Sequence, residues 1–189
     1  KVIASFHKRY PEIRIYLMNG NAFEMEQLLF DNQVDMALVE NYSSQPGIHY
    51  RDFLEDELIV ITGKNSVYAK RETIGKEDLV QLPIVLREHG SGTLEVIQQL
   101  FIQQNIKFDD LNTLIHLGST ESIKNFLQDF DGLAIVSEKA VQNELYLKTL
   151  VRLKVTGLSM PRKLRIAYKQ GHKRQQVALF EDFLLHYNF

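Results

Sequence analysis

Apolar side chains at Val2, Ile3, Phe6 and Tyr10 recur at helical spacing until Pro11 stops the pattern. That helix opens with neither a capping residue nor an initiator methionine, so the sequence reads as starting inside a helix, as a fragment would. Residues 13–18 then predict a strand and Asn19-Gly20-Asn21 a tight turn. Asn21 with Glu24 three residues on predicts the capped start of a helix reaching about Phe30. The apolar run within residues 34–40 suits a strand buried on both faces, which would complete a βαβ unit with parallel pairing and a right-handed crossover.

Residues 43–47 read as loop, 48–54 and 58–62 as two strands, and the polar stretch 63–70 as the first crossing between two lobes. The alternation restarts with a helix over 76–81, a strand over 84–86, a loop over 87–92 and a helix over 93–104. In that last helix Val96, Ile97, Leu100 and Phe101 share an apolar face. Strand 114–117, helix 120–128, strand 133–136 and helix 138–145 follow. Strands 150–155 and 164–168 and an amphipathic helix over 175–187 close the chain. Successive βαβ groups, a crossing and a late return predict an α/β fold of two Rossmann-like, doubly wound lobes with a hinge and a cleft between them.

Composition narrows what such a cleft does. With 22 Lys+Arg against 24 Asp+Glu, the net charge of -2 lacks the concentrated positive field of a free-standing nucleic-acid binder. The 44% hydrophobic content supports one sizeable core or two small ones. Zero cysteines exclude disulfides, thiolate catalysis and Cys-ligated zinc, and lean weakly towards a reducing compartment. No apolar run approaches the ~20 residues that span a bilayer.

Catalytic signatures fail one by one. A nucleophile elbow needs glycine where His89 and Thr93 stand, and a dinucleotide fingerprint needs glycine at Glu95. The 6 histidines show no metal-ligand spacing, and no metal site or cofactor is expected. Glu55-Asp56-Glu57 and Asp109-Asp110 read as solvated acidic loops rather than acid/base pairs. The basic run of Arg162, Lys163, Arg165, Lys169, Lys173 and Arg174 reads as the exposed face of an edge strand and turn, because no aromatic platform interleaves it.

Three helix starts that each follow a strand stand out: Asn21, Ser91 to Thr93, and Ser119-Thr120-Glu121. In a doubly wound sheet these line the edge where ligands sit, and free N–H groups there favour an anion or carbonyl. Ordinary capping is the default reading for any one of them, and only Gly90 and Gly92, which admit close backbone approach, lift the second above it. Arg87 suits a bidentate carboxylate contact across the cleft, or an ion pair with Glu88 or Glu121.

The residues then resemble a known family. Arg9-Tyr10-Pro11-Glu12-Ile13, Asn19-Gly20-Asn21, the run from Val34 to Glu40, Leu86-Arg87-Glu88-His89-Gly90-Ser91-Gly92-Thr93, the run from Leu117 to Lys124 and that from Gly132 to Ser137 are similar, in this order, to effector-binding domains of LysR-type transcription regulators. The resemblance implies a fold like the type 2 periplasmic binding proteins, with one lobe from residues 1–62 plus 163–189 and the other from 63–162. It implies no enzyme, but a cytoplasmic domain whose small polar or anionic effector lies between the lobes. Asn21, Glu40, Asn41, Ser91, Gly92 and Thr93 are the implied contacts, with Ser119 and Thr120 as further ones. It also implies an antiparallel homodimer or a homotetramer using an exposed apolar face of the opening helix. DNA would be bound only through a winged helix-turn-helix ahead of this segment, and the family's first sensor strand also has no counterpart here. A periplasmic solute-binding protein, with the same lobes and cleft, is the rival reading, and an enzyme on the same fold is the second.

Overall fold

The computed structural model describes residues 1–171 and 174–188. Helix α1, Val2–Arg9, has no side-chain cap. What holds it is aromatic packing: Phe6, 1% exposed, sits edge-on to Phe180 and Phe183 at centroid distances of 4.7 and 5.2 Å. Both partners belong to α7, Gln175–Leu185. The apolar face expected to be exposed on the opening helix is therefore covered at Phe6 by the far end of the chain.

Residues 13–18 form no strand. No described strand pairs with them, and Tyr16 and Leu17 are 85% and 70% exposed. An extended segment without a ladder partner or a buried face has nothing to hold it regular. Helix α2, Ala22–Phe30, starts with the expected cap: Asn21 Oδ1 accepts from Glu24 N–H (2.9 Å) and Glu24 Oε2 accepts from Asn21 N–H (3.0 Å).

Strand β1, Ala37–Val39, is shorter than expected and pairs antiparallel with β8, Pro161–Lys169, rather than in parallel. Only one of its faces is buried, since Leu38 points outward at 47% exposure between Ala37 and Val39. The expected strands 48–54 and 58–62 are one strand, β2, Ile48–Gly63. The charged run between them stays extended because β8 lies beside it: Glu55 faces Lys163 and Asp56 faces Arg162 across the ladder. At Leu58 the same strand passes to new neighbours, β6, Leu133–Ser137, and then β7, Leu150–Val155. The polar stretch 63–70, expected as a crossing, turns β2 towards β3, Thr73–Ile74, and both strands pair with β7.

The main path of the sheet runs β1-β8-β2-β6-β4-β5, with β4 spanning Ile84–Arg87 and β5 Thr113–Leu117. Here the doubly wound expectation holds, since β4 pairs in parallel with both β5 and β6. Helices α3, Lys76–Gln81, α4, Gly92–Gln103, and α5, Thr120–Phe126, connect these strands. The helix expected over 138–145 divides into a 3-10 turn, Lys139–Val141, and α6, Gln142–Tyr146.

Alternation along the strands builds two cores on opposite faces. Leu58 and Val60 of β2, Ile84 and Leu86 of β4, and Leu133 and Ile135 of β6 join Phe101 and Ile97 of α4. The intervening Ile59, Ile61, Val85, Ala134 and Val136 join Ile123 of α5. A smaller core, built on Ala22, Leu29, Ala37, Val39, Ile48 and Ala167, holds α2 against β1, β2 and β8. Lying between β1 and β2, β8 is not the expected edge strand. Its Arg162 is 7% exposed rather than part of a solvated face, and Asp56, read as loop, is 8% exposed. Lys173 of the basic run, and His172, lie outside the described residues.

Candidate functional site: a cleft at the start of helix α4

Two glycines bring the turn between β4 and α4 against the α2–β1 side. Gly90 has φ 87°, the left-handed region that glycine tolerates. A Cβ there would stand 3.1 Å from Asn21 Oδ1, and without one the turn closes on α2, where Phe23 N–H donates to the Gly90 carbonyl at 3.1 Å. Gly92 sits closer still: a Cβ would lie 2.7 Å from the backbone nitrogen of Asn41 and 3.0 Å from Glu40 Cγ. Asn21 thus meets Gly90, and Glu40 and Asn41 meet Gly92, with Ser91 and Thr93 on either side of it in the chain.

Beside this contact is a cavity of about 300 Å³. Its lining includes buried Glu26, Asn41, Ser91 and Leu94 and the partly buried Glu95, with His89 exposed. Ser91 is the N-cap of α4, yet its side chain makes no capping bond, and its Oγ is buried without a hydrogen-bond partner. Helix α4 is 12 residues long, and its start carries unsatisfied N–H groups and the positive end of the helix dipole. A buried hydroxyl at such a position is short of one hydrogen-bond partner.

The opposite wall is a network of acceptors and donors. Asn41 Nδ2 donates to Glu26 Oε1 (2.7 Å) and to Ser43 Oγ (3.2 Å), and the Tyr50 hydroxyl donates to the same Glu26 oxygen at 2.6 Å. Burial, aided by that bond to Glu26, pushes the Tyr50 hydroxyl up to about 12. Arg165 backs this wall, donating to Asn41 Oδ1 (3.3 Å) and the Ser43 carbonyl (2.6 Å), with its guanidinium 4.2 Å from the centre of the Tyr50 ring. Across the cavity the Glu95 carboxylate accepts from the Ser43 N–H (2.6 Å) and hydroxyl (2.9 Å), so α4 and the end of β1 are tied through one residue.

A second tie runs through Thr93. Its hydroxyl donates to Glu40 Oε1 (3.2 Å) and accepts from Arg162 Nη1 (2.9 Å), while Arg162 Nε donates to Asp56 Oδ2 (2.7 Å). The Arg162 and Asp56 side chains are 5% and 0% exposed. A buried pair of this kind adds little net stability over an apolar pair, but removing one partner strands the other.

Of the sequence candidates, Asn41 and Ser91 line the cavity; Asn21, Glu40, Gly92 and Thr93 lie beside it, and Arg87, Ser119 and Thr120 are also outside its lining. Arg87 ends β4 with both Nε (2.8 Å) and Nη2 (2.9 Å) donating to Glu88, the ion-pair alternative. Burial pushes the Glu88 carboxyl up, but bonds from Arg87, its own backbone and Asn21 outweigh this and leave it below the usual range. Ser119 caps α5 through the Ser122 N–H (3.0 Å), and Thr120 is the first residue of that helix. Sequence reasoning missed Glu26, Glu95, Asp56, Arg162, Arg165 and Tyr50. One signal was available: Glu26 shares the inward face of α2 with Ala22 and Leu29, and an acid on an apolar stripe requires a polar partner.

The model of the LysR substrate binding domain matches residues 1–188. The chain belongs to this LysR family. Its similarity extends to the HTH-type transcriptional regulator YeiE of Escherichia coli (strain K12), 31% identical over 183 residues, covering 96% of this chain and 61% of that protein. The HTH-type transcriptional activator CmpR of Synechocystis sp. is 29% identical over 185 residues, covering 97% and 60%. This LysR domain therefore spans about three fifths of the curated relatives it matches. Those relatives are transcription regulators rather than enzymes or solute carriers, which favours the regulator over both rival readings.

Solved structures share the fold. The regulatory domain of Synechocystis PCC6803 CcmR in complex with 2-PG superposes with a TM-score of 0.85 at 24% identity, covering 97% of this chain and 88% of that one. The effector binding domain of QuiR in complex with shikimate gives 0.84 at 19% identity, covering 98% and 88%. The type 2 periplasmic binding protein fold implied by the resemblance is the fold of this LysR domain. Among the described residues, no helix is long and apolar enough to cross a membrane.

Proposed function

We propose that this domain senses a small polar effector in the cavity at the start of α4 and passes the signal on as a change in how its two lobes meet. The observation that carries the reading is the buried, unpartnered Ser91 hydroxyl at the positive end of α4, lining an open cavity of about 300 Å³. A carboxylate or other anionic group at one end of the effector satisfies both the hydroxyl and the helix start. Asn41, Ser91 and Thr93 are the central residues, with Asn21, Glu40 and Gly92 setting the approach of the two sides. Arg87, Ser119 and Thr120 act on the sheet edge beside them.

The two lobes take residues 1–62 plus 163–189 and residues 63–162, joined through β2 and β8. An effector touching both sides of the Gly92 contact favours one lobe arrangement by its differential affinity, and no more than that. In the intact regulator this shift reaches DNA through a helix-turn-helix outside the present segment, within a homodimer or homotetramer in the cytoplasm. The test is a thermal-shift screen of the domain against small carboxylates, inorganic anions and amino compounds. A compound that raises the melting temperature in proportion to RT ln(1 + [L]/Kd), and does so less with Ser91→Ala, supports the site. A rise unchanged by Ser91→Ala and Asn41→Ala places binding elsewhere.

A further inference from the structure

The charges around the cavity say more about its ligand than the helix start does. Among the described residues no Lys or Arg lines it, whereas Glu26 and Glu95 do, and His89 alone of the lining side chains can carry a positive charge. Glu40 adds a third carboxylate just outside the lining, against Gly92 and Thr93. Of the cations nearby, Arg162 is paired with Asp56, and Arg165 stands behind the wall, bonded to Asn41 and the Ser43 carbonyl and set over the Tyr50 ring, with its Nε buried and unpartnered. One backing guanidinium against these carboxylates leaves the cavity negative.

Glu26 is the decisive member. It is 2% exposed, and its Oε1 takes both available bonds, from Tyr50 and Asn41. Its Oε2 takes no described hydrogen bond yet is not sealed from solvent, and Glu26 lines the cavity, so that oxygen is free to accept from a ligand there. A purely anionic ligand would meet repulsion here, because like charges at contact distance in a partly desolvated site cost more than the helix start returns.

We propose that the effector carries a protonated amine seated against Glu26 and Glu95, as well as the acidic or hydroxyl group that faces Ser91: an amino-acid-like zwitterion. This rests on the sensing reading above and names the class of molecule sensed. The amine donates to the open Glu26 Oε2, and the acid end meets the unpartnered Ser91 Oγ.

The experiment is calorimetric titration of the domain with matched probes. L-Serine, L-glutamate and L-glutamine are compared with 3-hydroxypropanoate, glutarate and glutaramate, which lack only the amine, and with sulfate and phosphate. The expected result is binding of at least one amino acid, about tenfold or more tighter than its partner without the amine, as a charge-assisted hydrogen bond provides. Glu26→Gln erases that preference, and Glu95→Gln, at a less buried position, reduces it in a domain that keeps its far-ultraviolet spectrum. If an acid without the amine, or sulfate or phosphate, binds as tightly as the amino acids, the zwitterion is overturned while the sensing site stands. Silence from every amino acid also overturns it, and silence from the whole panel overturns the sensing reading with it.

Discussion

The two halves of the molecule are built on different physics. In the half around β4 and β6 both faces of the sheet are covered by apolar clusters, and Ile84, Val85, Leu86, Leu133, Ala134 and Ile135 are all 0% exposed. The half around β1 and β8 has one small apolar cluster, and its burial is shared with polar groups: Glu26, Asn41, Asp56, Arg162 and Glu181. A close-packed apolar sheet has one good arrangement, whereas a face held by hydrogen bonds and ion pairs can exchange partners with a ligand. The cavity lies where the rigid half presents a helix start to the polar half, which is where a sensor needs its adjustable surface.

Several substitutions break or sharpen this contrast. Phe101→Ala opens a cavity in the larger core and should cost about 3–5 kcal/mol in chemical denaturation. Leu29→Ala in the smaller core should cost less than Phe101→Ala, and equal losses would dissolve the contrast. Next, Arg162→Met leaves Asp56 without its cation and should cost about 3 kcal/mol, the low end for a broken buried pair. Combining it with Asp56→Ala should recover part of that loss, because no stranded charge remains.

Lys124→Met tests a buried charge within the apolar half, where Lys124 Nζ reaches Glu121 (2.7 Å) and Glu144 (2.8 Å). The expected cost is about 1–2 kcal/mol, since a partly buried acceptor loses its donor. The hydrogen bond from Lys124 holds the Glu144 carboxyl below 4.5. Its contribution is therefore present above that pH and lost as pH falls through the lowered value. Burial pulls Lys124 down, but its two carboxylate partners outweigh this and hold it above 10.5, so its contribution fades only as pH rises through the raised value. Melting of the native and Lys124→Met domains should differ most between those limits and converge in acid.

Smallest of all, Tyr50→Phe removes one of the two donors to Glu26 Oε1 and should cost about 0.5–1.5 kcal/mol near neutrality. Because Tyr50 ionises at about 12 in the fold against 10.0 ordinarily, its contribution is full below 10.0 and disappears as pH rises through about 12. An ultraviolet titration that shows no phenol ionising late would disconnect Tyr50 from the site wall.

Local chemistry was readable in the chain itself. The Asn21–Glu24 capping box, the alternation of β2, β4 and β6, and the apolar face of α4 depend on neighbours a few residues away, so their periods survive in the sequence. The order of strands and helix starts pointed to Asn21 and Ser91 to Thr93, but Glu40 and Asn41 were legible only through family likeness, because their contact with Gly92 joins residues about 50 positions apart. Three things were settled by the tertiary structure. Residues 13–18 have strand composition but no ladder partner among the described residues, so propensity alone did not make them a strand. Residues 55–57 have loop composition but lie beside β8, so the ladder kept them extended. Arg162 looks like a surface charge in one dimension and Glu26 shows only its place on the apolar stripe of α2, and the fold alone pairs one with Asp56 and turns the other towards Tyr50 and Asn41. A charge's partner is a property of distance in space, and sequence order does not encode that distance.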